Sequence, residues 1–168
     1  MKTICTLTDK EILGIDGLSS KAPRLTARAI VKRTDGLYAV MYAEKFGLYS
    51  LPGGGIEDGE DALSALRREI DKETGCSCES IEELGIVAEN RGTLDYTQLS
   101  YYYVVSTSGT RHASHLTADE AANGTALQWH KLDKVYELIS SPAHNTVQRK
   151  YLQARDVAAL KEYMKTIL

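Results

Sequence analysis

The sequence predicts an α/β fold, a mixed central sheet sandwiched by helices, and three observations predict it. Segments with the alternation of strands dominate the middle of the chain, one helical stretch interrupts them, and helical stretches close the C-terminal end. The 168 residues, 43% apolar and 26% charged, suit one globular domain over residues 1–168 that buries about two-thirds of its unfolded surface. No internal repeat and no linker divides the chain.

In order, Ile4 to Thr8 and Glu11 to Ile15 read as weak strands separated by Asp9-Lys10, and Gly17 to Pro23 as a loop rich in Ser and Gly. Leu25 to Lys32 is a clear strand, with Leu25, Ala27, Ala29 and Val31 on one face and Thr26, Arg28 and Ile30 on the other. Thr34-Asp35-Gly36 turns the chain into a second strand, Leu37 to Tyr42, so the pair reads as a hairpin. A glycine-rich loop follows. From Asp61 the apolar residues Leu63, Leu66 and Ile70, flanked by Ala62 and Ala65, recur at helical spacing until Gly75 ends the run. Ile81 to Ala88 reads as a strand and Glu89 to Thr93 as a turn containing Arg91 and Gly92. Leu99 to Thr107, three tyrosines and two valines in a row, is the strongest strand, and Thr125 to Leu132 another around Trp129. Ser108 to Gly124 is a polar loop with room for a short helical turn. Asp133 to Ile139 is a short helix and Asn145 to Ile167 a long amphipathic one.

Composition excludes several functions. A net charge of −3 argues against a broad surface for nucleic-acid polymers. No apolar run approaches the 18 residues of a membrane span, and the N-terminus MKTICTLTDKEI lacks a signal peptide's continuous apolar core, so a cytoplasmic protein without membrane association is expected. Three cysteines do not make a disulfide framework, and the Cys76/Cys78 pair has no second Cys/His pair to complete a zinc site. His112, His115, His130 and His144 show no metal-ligand spacing.

The stretch Leu51 to Cys76, LPGGGIEDGEDALSALRREIDKETGC, carries the chemistry. Three glycines let the backbone approach an ion or a phosphate closely. Glu69 and Glu73, four apart on the helix, project from one face, and such a like-charge pair costs roughly 0.2–0.5 kcal/mol unless a cation or the flanking Arg68 and Lys72 offset it. Two readings are open on helix pattern alone: a solvated face of mixed charge, or ligands for a divalent cation. A mildly acidic protein handling a polyanion needs local positive charge, and a metal ion supplies it.

This stretch resembles the signature of the Nudix hydrolases, G-x5-E-x7-R-E-U-x-E-E-x-G-U with U aliphatic. With Gly54 on the first glycine, Glu60, Arg68, Glu69, Ile70, Glu73 and Gly75 all match, and Cys76 weakly fills the last apolar place. Lys72 stands where the family has a glutamate. The resemblance implies a Nudix-like α/β/α sandwich with a mixed central sheet. It also implies a nucleotide pyrophosphohydrolase that splits, with Mg²⁺ or Mn²⁺, the diphosphate linkage of a nucleoside diphosphate joined to another group. It makes Glu69 and Glu73 metal ligands, Gly54 a carbonyl ligand, Arg68 the residue that orients the carboxylates, and Glu60 a brace of the loop–helix junction. Family members often recruit a further acid from a later loop, and Glu120, with its longer side chain than Asp119, is the preferred counterpart.

Substrate contacts are assigned to Arg28, Arg91 and Lys72. Arg28 is either a rim residue of its strand or a bidentate phosphate ligand, and Arg91 has the same two readings. Tyr101, Tyr102, Tyr103 and Trp129 read as packing residues. Lys72 is expected to compete with a cation for Glu69: at about 6 Å and an effective dielectric near 20, one unit charge acts on another by roughly 3 kcal/mol. The rival reading, a Nudix-like domain that binds a nucleotide or metabolite as a sensor or interaction module without turnover, rests on that departure. The expected partner is a small nucleotide-type molecule, and apolar strand surface is compatible with a homodimer.

Overall fold

The computed structural model describes residues 1–168. Eight strands, β1 (Thr3–Thr8), β2 (Arg24–Arg33), β3 (Tyr38–Ala43), β4 (Leu48–Ser50), β5 (Gly53–Gly55), β6 (Ser80–Arg91), β7 (Tyr96–Thr107) and β8 (Thr125–His130), form one mixed sheet. Its order is β1-β6-β7-β2-β3-β4, with β5 added to β2 and β8 to β3. Five helices accompany it: α1 (Asp9–Leu13), α2 (Ala62–Thr74), α3 (Ala118–Ala122), α4 (Leu132–Ser140) and α5 (Val147–Thr166).

The alternation of β2 sorts the two cores. Ala27, Ala29 and Val31 point to one face, where they meet Ala65, Leu66 and Ile70 of α2 together with Tyr103 and Val105 of β7. The alanines are small enough for the helix to lie close. Ile30 points to the other face, with Val87 and Tyr102, under Val135 and Ile139 of α4 and Ala159, Leu160 and Tyr163 of α5. The result is the expected helix–sheet–helix sandwich.

The expected hairpin of β2 and β3 is reduced to the single pair Lys32↔Tyr38. The rest of that edge is taken: Pro52 carbonyl accepts from Ala29 N–H (3.0 Å), and β5 pairs with Thr26, Ala27 and Arg28. β2 finds its long partner in β7, in parallel register from Arg24↔Gln98 to Arg33↔Thr107, while β3 pairs along its length with β8. The sheet therefore splays where β2 and β3 part, and the glycine-rich segment fills the wedge. Backbone pairing demands this, because a buried edge with unpaired N–H groups is costly.

Three further expectations are corrected. Glu11 to Ile15 is no strand: Thr8-Asp9-Lys10-Glu11 is a capping box in which the Glu11 carboxylate accepts from Thr8 N–H (2.9 Å), and α1 begins there. Glu89 to Thr93 is not a turn, because β6 runs on to Arg91, paired with Tyr96, and the chain turns only at Gly92–Leu94. Leu63 does not join the buried stripe of α2; it is exposed, and Ala65 lies against the sheet instead. Tyr102 and Tyr103 are buried as expected, and Trp129 is half-buried under the Arg33 guanidinium, 4.6 Å from its ring centre.

Candidate active site

α2 starts at Asp61, whose carboxylate accepts from Ser64 N–H (2.8 Å), and closes at Gly75. Its inward stripe begins with Ala65, Leu66 and Ile70 and continues, one residue round, into Glu69 and Glu73. Both carboxylates are buried, 4% and 8% exposed, because β5 lies over them. Gly53 N–H donates to Glu73 Oε2 at 2.7 Å. A Cβ on Gly54 would fall 2.6–2.8 Å from the carboxylate of Glu69, and one on Gly53, at φ 139°, 2.4 Å from the Ala27 carbonyl. Backbone bearing a Cβ at either position could not lie here without displacing the Glu69 carboxylate or β2.

Arg68 ties loop to helix. Its Nε and Nη2 donate to the two oxygens of Glu60 (2.8 Å each), Nη2 also reaches the Gly55 carbonyl (2.9 Å), and Nη1 contacts Glu69. This fork holds the Glu60 carboxyl down at about 2. Glu73 behaves oppositely: burial pushes it up to about 7, against the pull of Gly53 N–H and the nearby Arg28.

Lys72 faces the same place. Its Nζ lies 2.7 Å from Glu69 Oε2 and 3.5 Å from Glu120 Oε1, so one ammonium bridges the helix acid and the loop acid. Burial works against its charge, but the two carboxylates outweigh it and raise its pKa. Glu120 is positioned by the capping box of α3, where it accepts from Thr117 N–H (2.7 Å). Lys72 approaches Glu69 more closely than the spacing estimate of about 6 Å assumes.

The acids present suit a hard cation. Glu69 Oε2 is buried without a well-formed hydrogen bond, although Lys72 is within ion-pair distance. No cluster of three or more His, Cys, Asp or Glu side chains is arranged to hold a metal. Mg²⁺ needs no such cluster, since it commonly takes one or two carboxylates and fills its shell with waters and substrate phosphates. Two buried carboxylates beside a bare backbone fit that habit, with Lys72 as the competitor.

The Nudix domain family model matches residues 22–154. The chain belongs to the Nudix hydrolase family. A stretch of 43 residues is 46% identical to the RNA pyrophosphohydrolase of Dinoroseobacter shibae, covering 26% of this chain and 27% of that protein, so the match spans about a quarter of that relative's length. Solved structures with the same fold include the NUDIX hydrolase from Nitrosomonas europaea (TM-score 0.65, 19% identity, 86% of this chain and 90% of that one). The E. coli ORF135 protein (0.62, 20%, 88% and 93%) and the MutT NUDIX hydrolase from Burkholderia pseudomallei (0.56, 23%, 80% and 98%) are similar too. Nudix enzymes generally use divalent metals such as Mg²⁺.

The Nudix helix thus brings Glu69, Glu73, Arg68 and Lys72 together with Gly54, and Glu120 joins them through Lys72. Arg28 and Arg91 are elsewhere, lining a shared cavity under α5 that Lys72 does not reach. Arg28 Nη1 points to the carbonyls of Leu51 (3.3 Å) and Gly53 (3.4 Å), so it supports the Nudix loop from behind. Arg91 is no turn residue but a buried one, bonded to Glu89 and sandwiched between the rings of Tyr96 and Tyr151 at 4.8 and 5.0 Å.

Sequence reasoning missed Arg24 and Arg155, which line the same cavity. Arg24 could have been found, since it shares the β2 face of Thr26, Arg28 and Ile30. Arg155 carries no local signal. It is buried in α5 beside Asp156, which in turn accepts from Leu51 N–H (2.8 Å) and from the Tyr102 hydroxyl.

Proposed function

We propose that this Nudix hydrolase cleaves the diphosphate linkage of a nucleoside diphosphate joined to another group. The observation that carries the reading is the pair of buried carboxylates, Glu69 and Glu73, one helical turn apart beneath glycine backbone. Glu69, Glu73 and the Gly54 carbonyl would hold Mg²⁺ or Mn²⁺, which supplies charge neutralisation on the phosphate oxygens and acidifies a bound water. Water attacks one phosphorus, a new P–O bond forms, the bridging P–O bond breaks, and the leaving phosphate keeps the bridging oxygen. Arg68 fixes the carboxylate of Glu69 and the Gly55 carbonyl in place. Glu120 is the acid from outside the box that takes the water's proton, and Lys72 turns from Glu69 toward substrate phosphate as it is released. Residues 1–168 act as one unit in this reading, because β1 pairs with β6 and α5 packs across both. The setting is cytoplasmic, with a small-molecule substrate and neither nucleic-acid polymer nor membrane as partner.

The test is a panel of nucleoside triphosphates, oxidised nucleotides, sugar nucleotides and dinucleoside polyphosphates with Mg²⁺ or Mn²⁺, products being resolved by chromatography. At least one compound should yield two phosphorylated products with the parent and not with Glu69→Gln. Equal, background-level release from both proteins across the panel would reject hydrolysis. The contact of Lys72 with both Glu69 and Glu120 favours a second reading, a domain that binds its nucleotide without turnover. Saturable nucleotide binding with no product would support it.

A further inference from the structure

On the face of the sheet opposite α2, a cavity of about 260 Å³ lies between β2, β6, β7 and α5. Four guanidinium groups line it: Arg24, Arg28, Arg91 and Arg155. In a chain of net charge −3 this is a local reversal of sign. The carboxylates in contact with these arginines are Glu89, which holds Arg91 and approaches Arg155, and Asp156, which holds Arg155. Four cations thus have two carboxylates within ion-pair distance, and neither Arg24 nor Arg28 has an ion-pair partner. Two N–H groups are buried with no acceptor, Arg28 Nε and Arg155 Nη2, and Arg155 is only 1% exposed. A buried guanidinium donor without a partner is costly, and a ligand oxygen relieves that cost.

We propose that this cavity receives a phosphoryl group of the substrate other than the diphosphate held at the Nudix helix. The substrate class is therefore a nucleoside diphosphate derivative carrying a further phosphate. That part rests on the proposed hydrolysis; the binding of a phosphate in the cavity does not. Planar guanidinium forks match phosphate oxygens in pairs, and four of them converge here. The volume falls just under the ~300 Å³ at which whole-ligand pockets begin, so the cavity suits one end of a ligand. A nucleobase fits less well. The aromatic ring in the lining, Tyr96, already has the Arg91 guanidinium over it, and the Gln98 side chain is committed to Glu89, Ser100 and Tyr96. Two of its arginines also touch the box. Arg24 lines a second cavity with Glu57 and Glu60, and Arg28 touches the Gly53 carbonyl, whose N–H holds Glu73.

The first experiment titrates the full chain with inorganic phosphate in the presence of a chelator, following binding by calorimetry and by ¹H–¹⁵N shifts. Saturable binding should move the signals of Gln98 and Leu152. Arg24→Gln and Arg28→Gln should each weaken it about tenfold or more, as expected for a lost charged hydrogen bond. Lys161→Gln, which removes an exposed charge outside the cavity, should leave it unchanged. No saturable binding, or equal loss in Lys161→Gln, overturns the proposal, as does binding of uncharged adenosine in the cavity without any response to phosphate. The second experiment compares hydrolysis of matched pairs, coenzyme A with its 3′-dephospho form and NADPH with NADH. The phosphorylated member of at least one pair should have the higher kcat/KM, and Arg24→Gln should erase the difference. Phosphate binding without turnover of any compound removes the hydrolytic reading and leaves the subsite. Turnover that ignores the extra phosphate in both pairs removes the assignment to substrate.

Discussion

Removing the ammonium of Lys72 tests the most unusual feature of this Nudix site. Nζ is 2.7 Å from Glu69 Oε2, and at an effective dielectric near 20 the pair attracts by roughly 6 kcal/mol. A cation does not have to overcome all of that. The Lys72 side chain is about a quarter exposed, and its flexible stem can carry the charge into water. What remains is the net worth of a charged hydrogen bond, about 1.5–3 kcal/mol, or about ten- to hundredfold in metal affinity. Lys72→Met removes the competitor with little change in length, and Lys72→Glu also adds a carboxylate between Glu69 and Glu120. Both variants should bind Mn²⁺ and Mg²⁺ about ten- to hundredfold more tightly by calorimetric titration, with Lys72→Glu the tighter. Without metal, Lys72→Glu should melt below the parent, because like charges then crowd the helix, and metal should raise its melting temperature more than the parent's. Metal affinities within about twofold of the parent in both variants would refute the competition. If nucleotide binding weakens while metal binding tightens, Lys72 is a phosphate ligand as well.

Other perturbations separate the parts of the site. Glu69→Gln and Glu73→Gln should each lower turnover about a hundredfold or more while keeping the far-UV spectrum of the parent, since each removes one anionic ligand at nearly constant volume; parent rates in both would show that the ion is held elsewhere. Gly54→Ala should fold but lose metal affinity, because its Cβ would lie 2.6–2.8 Å from the Glu69 carboxylate; a metal titration matching the parent's would contradict that cradle. Asp9 is a stability probe outside the Nudix helix and loop: burial raises its pKa, but the N–H and hydroxyl of Thr93 (2.6 Å each), the hydroxyl of Tyr151 (2.7 Å) and the nearby Arg91 outweigh burial and lower it. Its folded pKa is thus below the unfolded value near 3.9, so its contribution is full above that value and is lost as pH falls through the folded pKa. Asp9→Asn should be less stable than the parent at neutral pH, with the gap closing in acid; a gap that is the same at pH 7 and pH 2 would contradict this.

How much of this was legible beforehand depended on how local each cause was. The strand at Leu99 to Thr107 and the helix after Asp61 are written in alternation and helical spacing, which act between near neighbours. That Glu69, Glu73, Arg68 and Gly54 lie together was legible for the same reason: loop and helix are contiguous, and the spacing of the box already puts them in reach. Glu11 to Ile15 is ambiguous because a short apolar run carries no decisive period, and what decides it is the capping box of Thr8 and Glu11. Leu63 failed because the apolar residues of a helix outline a stripe wider than the face its sheet covers.

The sequence by itself determined the family, the fold class and the acids of the helix. Tertiary structure alone decided what surrounds them. The free edge of β2 goes to β5 at Thr26 to Arg28 and to β3 only at Lys32, although β3 carries the alternation of a strand and β5 is three glycines. Lys72 is three residues from Glu69, but its meeting with Glu120 needs the loop from Ser108 to Gly124 to fold back over α2. The four arginines of the cavity come from β2, the end of β6 and the middle of α5. Beyond the β2 pair Arg24 and Arg28, these charges have no pattern in sequence, because only the closure of α5 against the sheet buries Arg155 and brings it to the cavity that Arg91 lines.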